Sequence, residues 1–105
     1  MKKRHPQALS LAVALSLCAG AGGAFAQNID NGRHLSERWC VECHAITPAP
    51  GKSKARSFAA IAAREKISTE MIASFLRLPH ATMPNVPLRG NDAQDIAAFI
   101  MSMKK

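Results

Sequence analysis

Apolar side chains recur at helical spacing in four separate stretches of the chain. A spacing of i, i+3 and i+4 predicts amphipathic helices. The four stripes are Leu35 and Trp39; Phe58, Ile61 and Ala62; Ile72, Phe75 and Leu76; and Ile96, Phe99, Ile100 and Met103. No stretch alternates apolar and polar residues as a half-buried strand does. The pattern therefore predicts an all-α domain of about four short helices, without strands or internal repeats.

Capping residues and helix breakers set the expected ends of these helices. The predicted helices run from a cap at Asn28 or Asp30 to about Cys43, from Phe58 to about Lys66, from a cap at Ser68 or Thr69 to Pro79, and from Asn91 to the last residues. The pair Asn91 and Gln94 resembles a capping box. Residues 47–57 are a predicted loop because proline, glycine and serine concentrate there, and residues 79–87 are predicted to be extended because they contain three prolines and no helical periodicity.

The first 26 residues have the pattern of a secretory signal peptide. Residues 1–4 are Met-Lys-Lys-Arg, residues 8–20 are mostly apolar, and residues 24–26 are Ala-Phe-Ala, which suits a signal peptidase. The apolar run is short and broken by glycine, which disfavours a permanent membrane span. We therefore expect residues 1–26 to be removed and residues 27–105 to form one domain in the periplasm.

Cys40-Val41-Glu42-Cys43-His44 is the motif that carries chemistry. Two thiols separated by two residues, with a histidine directly after them, form the attachment pattern of c-type haem. On one turn of helix the thiols can reach the two haem vinyl groups, and the imidazole can bind the iron from below. Cys40 and Cys43 are therefore the predicted thioether residues, and His44 is the predicted proximal iron ligand.

Other uses of the cysteine pair fit the chain less well. A thioredoxin-like dithiol normally belongs to a βαβ unit, and no strand pattern lies nearby. Structural zinc needs four ligands, and no second cluster of Cys or His follows. A disulfide between Cys40 and Cys43 would close too short a loop to stabilise the fold much. Cys18 lies in the predicted signal, and the bulky Leu17 before it argues against a lipoprotein.

The size and charge of residues 27–105 sharpen this picture. A domain of 79 residues lies near the lower limit of size for a self-sufficient hydrophobic core. A buried haem would add the apolar surface that such a small core lacks. Eleven Lys and Arg and seven Asp and Glu remain there, a net charge of +4, and the cations are scattered. This distribution in an exported protein favours docking to an acidic patch on a redox partner over nucleic-acid binding.

The second axial ligand of such a haem has several candidates. Met83 lies in a proline-rich loop about forty residues after His44, from which its thioether can fold over the opposite haem face. Three other methionines fall on predicted helices, where methionine usually fills the core: Met71, Met101 and Met103. His80 offers bis-histidine ligation, and His34 is a more remote candidate. Met83 is the preferred ligand, with His80 as its rival.

The chain resembles the small class I c-type cytochromes of bacteria, which are single-haem electron carriers, over essentially all of residues 27–105. Gly32, eight residues before the first motif cysteine, stands where that family has a glycine at the crossing of its first and last helices. Phe99 matches the family's aromatic residue on the last helix. Leu-Pro-His-Ala-Thr-Met-Pro, residues 78–84, resembles the family's methionine loop. The resemblance implies a cytochrome c fold around one covalently bound haem c, with Met83 as the distal iron ligand.

One position departs from that family. Its members commonly have a proline some twelve residues after the haem histidine, and the proline carbonyl accepts the imidazole N–H. Arg56 stands at that position here. The hydrogen bond needs only a backbone carbonyl, so Arg56 can still make it, but the loop is expected to be less rigid.

These features predict a periplasmic electron carrier rather than an enzyme. An exported dehydrogenase, with this chain as its cytochrome subunit or its electron acceptor, is one partner that fits. The alternative is a gas-binding or peroxide-reactive haem protein, which needs an open distal site on the iron. The spin state of the iron and its reaction with CO distinguish the two.

Overall fold

The computed structural model describes residues 2–3, 27–49, 53–78 and 82–105. These ranges contain four helices, α1 (Ile29–Trp39), α2 (Phe58–Ala62), α3 (Thr69–Arg77) and α4 (Asp92–Met101). No residue in the described ranges belongs to a strand, and none of the helices there has the length and apolarity to cross a membrane. The all-α prediction is confirmed, although α1 and α2 each end about four residues before their predicted ends.

Polar side chains begin the first three helices. In each case the side-chain oxygen accepts the N–H of the third residue that follows, which satisfies one free backbone donor: Asn28 caps α1, Ser57 caps α2 and Ser68 caps α3. The capping box predicted for α4 is wrong. Asn91 makes no side-chain cap hydrogen bond, and Gln94 Oε1 is buried without a partner in the described part of the chain.

The hydrophobic core is built on α4, against which α1, α2 and α3 all pack. The apolar stripe predicted on α4 is confirmed, since all of its members are buried: Ile96, Phe99, Ile100 and Met103. Ile72 and Ala73 of α3 are buried as well. Phe75 and Met71 on the same helix are 54 % and 55 % exposed. The expectation that Met71 fills the core is therefore wrong.

α1 packs on α4 through small residues rather than through its predicted apolar stripe. Its buried residues are Gly32 and Ser36, whereas Leu35 is half-buried at the edge of the core. Trp39 is 39 % exposed, and the Arg38 guanidinium lies 5.0 Å from the centre of its ring. Two small residues one turn apart allow the two helix backbones to approach closely.

The crossing of α1 and α4 is tight and polar. A Cβ atom at position 32 would lie 2.0 Å from the carbonyl oxygen of Asp95, so only glycine fits there. The Asp95 side chain accepts the backbone N–H of Asn28 and the side-chain amide of Asn31, both at 2.8 Å. We call Gly32, Asn28, Asn31 and Asp95 the α1–α4 junction. The close approach expected at Gly32 is present.

Candidate functional site

The Cys-Val-Glu-Cys-His motif continues directly from the end of α1. Cys40 is the C-cap of α1, and its N–H donates to the Ser36 carbonyl at 2.8 Å. The N–H groups of Cys43 and His44 donate in turn to the Cys40 carbonyl, at 3.1 and 2.9 Å. The motif therefore forms one hydrogen-bonded turn, which agrees with the single helical turn expected for the two thiols.

The two thiols are free and lie in different surroundings. Cys40 is 8 % exposed and Cys43 is half-buried, and they are not joined in a disulfide. Burial raises the pKa of the Cys40 thiol, and a hydrogen bond with the Ser36 side chain opposes part of that rise. No three or more His, Cys, Asp or Glu side chains in the described ranges are grouped to hold a metal ion. Neither Cys40 nor Cys43 is used in a disulfide, so each sulfur is able to form one thioether.

The His44 imidazole is fixed through one of its nitrogens. Its Nδ1 lies 2.5 Å from the carbonyl oxygen of Arg56. Because a carbonyl can only accept, this geometry assigns the ring proton to Nδ1 and leaves a lone pair on Nε2. The hydrogen bond that the sequence allowed at Arg56 is present without a proline. An imidazole held in this way is oriented for an iron ligand.

Two backbone hydrogen bonds flank the contact between His44 and Arg56. One lies on each side of it: Ala55 N–H donates to the Cys43 carbonyl at 2.8 Å, and Phe58 N–H donates to the Ala45 carbonyl at 2.9 Å. The chain around Arg56 is therefore tied to the motif before and after the imidazole. These bonds hold the carbonyl in place where the family uses a proline ring.

Phe58 is a contact of the imidazole that the sequence did not indicate. The His44 and Phe58 ring centres lie 5.5 Å apart with planes inclined at 46°. Phe58 is 3 % exposed, and its ring also meets Phe99 edge-on at 6.1 Å and 70°. A chain of three rings thus joins the motif to α4. The sequence marked Phe58 as a member of the α2 stripe, and no motif spacing linked it to His44.

An open pocket of about 630 Å³ lies beside the motif. Its walls include Cys43, His44, Ile46 and Lys54. The residues present fit a covalently attached haem, since they offer two thiols on one turn and an imidazole with a free nitrogen next to open space. The structure thus brings together three of the four predicted site residues.

Met83 and His34 lie away from this pocket. Met83 is half-buried in residues 82–89, which form no helix, and it is not among the residues lining the pocket beside His44. Its ligand role stays a prediction. His80 lies outside the described residues. His34 is exposed on α1, with its Nδ1 3.6 Å from a carboxylate oxygen of Glu37.

A curated relative matches almost the whole chain. Over 102 residues the chain is 34 % identical to cytochrome c-552 of Bradyrhizobium diazoefficiens, and the match covers 95 % of this chain and 98 % of that protein. No protein-family model matches the chain, and no solved structure does. Because so little of either chain is left out, the match includes residues 40–44 and the segment that carries Met83.

Proposed function

The chain belongs to the small c-type cytochromes, and on that basis we propose that it works in the periplasm, passing single electrons between redox partners. As a member of this family it is a monohaem electron-transfer protein with covalently bound haem c, rather than an enzyme. The haem supplies one-electron chemistry at its iron. The residues of the chain attach it, orient it and shield it from water.

We assign the haem attachment to Cys40 and Cys43, and the proximal ligand to His44. The observation that carries this assignment is the hydrogen bond from His44 Nδ1 to the Arg56 carbonyl, which leaves Nε2 as the only nitrogen able to bind iron. Cys43 and His44 share the walls of one pocket. Backbone hydrogen bonds to the Cys40 carbonyl join both cysteines and His44 in one turn, which supports the assignment.

Met83 is our candidate for the distal ligand. It is followed by Pro84, which restricts the backbone next to it, and the segment that carries it makes no helix in the described residues. A thioether is a soft donor that favours ferrous iron, so it raises the reduction potential relative to a second imidazole. Two protein ligands would also leave no open position on the iron, which suits a carrier.

Export would place this chain among periplasmic partners. Residues 1–26 carry the basic, apolar and small-residue segments of a cleavable signal, so we expect the functional protein to begin at Gln27. Apart from residues 2–3, the proposed signal lies outside the described residues. Covalent attachment suits a periplasmic carrier because the cofactor cannot be lost to the surroundings.

The redox partners are expected to present acidic surfaces. Lys54 and Arg56 are exposed and lie close to the motif, Lys54 in the pocket wall and Arg56 at the imidazole. Positive charge near an electron-exchange site speeds encounter with a negative partner, an effect that salt screens. An exported dehydrogenase is the partner class we propose. The rate at which this dehydrogenase reduces the cytochrome should fall as ionic strength rises. At the same ionic strength, the rate should be lower for Lys54→Glu than for the wild type.

Optical spectra of the oxidised and reduced protein, with a redox titration, test the proposed function. The expected result is a low-spin haem that does not bind CO and has the high potential of methionine–histidine ligation. A high-spin iron that binds CO readily would instead assign the chain to gas binding or peroxide chemistry. A low-spin haem of low potential would still support an electron carrier, but it would indicate that a histidine and not Met83 is the distal ligand.

A further inference from the structure

The chain that leads into α2 and the first residue of α2 contact the His44 imidazole from two directions. We propose that the segment Arg56-Ser57-Phe58, which we call the proximal clamp, is the positioning element that fixes this ring in place of a proline. The inference rests on the proposed role of His44 as an iron ligand. It adds two positioning residues to the site, Ser57 and Phe58.

The first direction is the hydrogen bond to Nδ1. The Arg56 side chain is exposed, so nothing in its packing fixes the direction of its carbonyl. That direction is fixed by its neighbours, because Ala55 N–H is bonded to the Cys43 carbonyl and Ser57 is held as the N-cap of α2. The Ser57 hydroxyl accepts the Ala60 N–H at 3.1 Å. The cap thereby links the orientation of the Arg56 carbonyl to the formation of α2.

The second direction is the contact with the Phe58 ring, which is tilted at 46° to the imidazole. Phe58 lies between the imidazole and Phe99, with ring centres at 5.5 and 6.1 Å. It is almost fully buried, and its own N–H is bonded to the Ala45 carbonyl, so its backbone and its ring are both held. A rigid ring in this place limits rotation of the imidazole about its axis. Any displacement of α4 at Phe99 reaches His44 through this contact.

The two contacts act on the same atom, Nε2 of His44, and together they set its direction and its basicity. A hydrogen bond at Nδ1 raises the electron density at Nε2, and the orientation of the ring sets how its lone pair meets the metal. Loosening the clamp should therefore expose the Nδ1 proton to solvent and change the ligand field. Loosening another helix of the protein to a similar degree should not.

Two N-cap serines provide a matched test. Ser57→Ala removes the cap of α2 and Ser68→Ala removes the chemically identical cap of α3, where the Ser68 hydroxyl accepts the Met71 N–H at 3.2 Å. The measurement is the hydrogen exchange of the His44 Nδ1 proton in the holoprotein, followed by NMR. We expect roughly fivefold faster exchange in Ser57→Ala, the factor by which losing an N-cap changes a local equilibrium. In Ser68→Ala we expect the wild-type rate.

Phe58→Leu tests the ring contact, with Ile100→Val as a control in the same core. Phe58→Leu should shift the His44 ring resonances, accelerate Nδ1 exchange and change the reduction potential, whereas Ile100→Val should leave all three unchanged. Equal exchange rates in the two serine variants, or unchanged His44 signals in Phe58→Leu, would overturn the clamp. If wild-type spectra show that His44 does not bind iron, the proposed function fails instead, so the two failures are distinct.

Discussion

Replacing Gly32 by alanine is the sharpest test of how α1 and α4 are held together. The new Cβ would lie 2.0 Å from the Asp95 carbonyl oxygen and 2.5 Å from the carbonyl carbon, both rigid backbone atoms. Ordinary Cβ contacts begin near 3.4 Å, so the helices must separate by about 1.4 Å at the crossing. Neither atom can rotate away as a flexible side chain would.

The cost of this separation follows from the α1–α4 junction. The bonds from Asn28 N–H and the Asn31 amide to the Asp95 carboxylate would stretch from 2.8 Å to beyond hydrogen-bonding distance. Hydrogen bonds to a charged group contribute about 1.5–3 kcal/mol each, and an alanine in a helix returns about 1 kcal/mol relative to glycine. We therefore expect Gly32→Ala to lower the free energy of unfolding by about 2–5 kcal/mol.

Guanidinium unfolding of the holoprotein, followed by circular dichroism, gives this number directly. Gly90→Ala is the matched control, because a Cβ there meets nothing within 4 Å and the only penalty is the positive φ of +49°. That strain costs about 1–2 kcal/mol. Asn31→Ala should cost about 1.5–3 kcal/mol, mainly through loss of the 2.8 Å bond from its amide to Asp95, because the bond from the same nitrogen to Asp92 Oδ1 is longer, at 3.4 Å. A Gly32→Ala protein as stable as wild type would refute the reasoning, since the helices would then separate without penalty.

Three further predictions concern the haem and the export signal. The intact mass of the exported protein should equal residues 27–105 plus one haem, and a mass that retains the leader would contradict the proposed cleavage. Replacing both Cys40 and Cys43 by alanine should release the haem into acid–acetone and leave the chain largely unfolded. A folded, colourless variant would contradict the proposed haem attachment. Met83→Ala should give a high-spin haem that binds CO, and Met83→His a low-spin haem of lower potential, as optical spectra and redox titration would show. His80→Ala should do neither, and the reverse pattern would move the distal ligand to His80.

The sequence predicted best what depends on short-range spacing. The α4 stripe was found because its apolar residues keep one helical face, and the motif because Cys40, Cys43 and His44 are close in the chain. The ends of the helices were less predictable. Ser57 and Ser68 are strong caps, but Asn91 looks equally suitable in sequence and makes no cap hydrogen bond. Residue type alone therefore does not show which of these side chains forms the cap hydrogen bond.

The features that escaped prediction depend on residues far apart in the chain. Asp95 is polar and falls among the apolar residues of α4, so nothing local indicates that α1 buries it. The His44 Nδ1 is bonded to a backbone carbonyl, and every residue type has one. The amino-acid sequence therefore does not show which carbonyl it is. Arg56 was indicated only because it stands where the family commonly has a proline. In sequence, Phe58 is one member of the apolar stripe of α2. Its contact with the imidazole is seen only in the folded structure, where α2 lies next to the motif.

The α1–α4 junction also has a consequence for the order in which the protein folds. Its two hydrogen bonds to Asp95 join residues 67 and 64 positions apart. Relative to a contact between residues four apart, closing a loop of about sixty-four residues costs about 2.4 kcal/mol more, at about 0.6 kcal/mol for each of four doublings. Such a contact slows folding and forms late. A chain emerging from its N-terminus would therefore present the haem motif before α4 is available, and α1 could pack on α4 only after α4 has emerged.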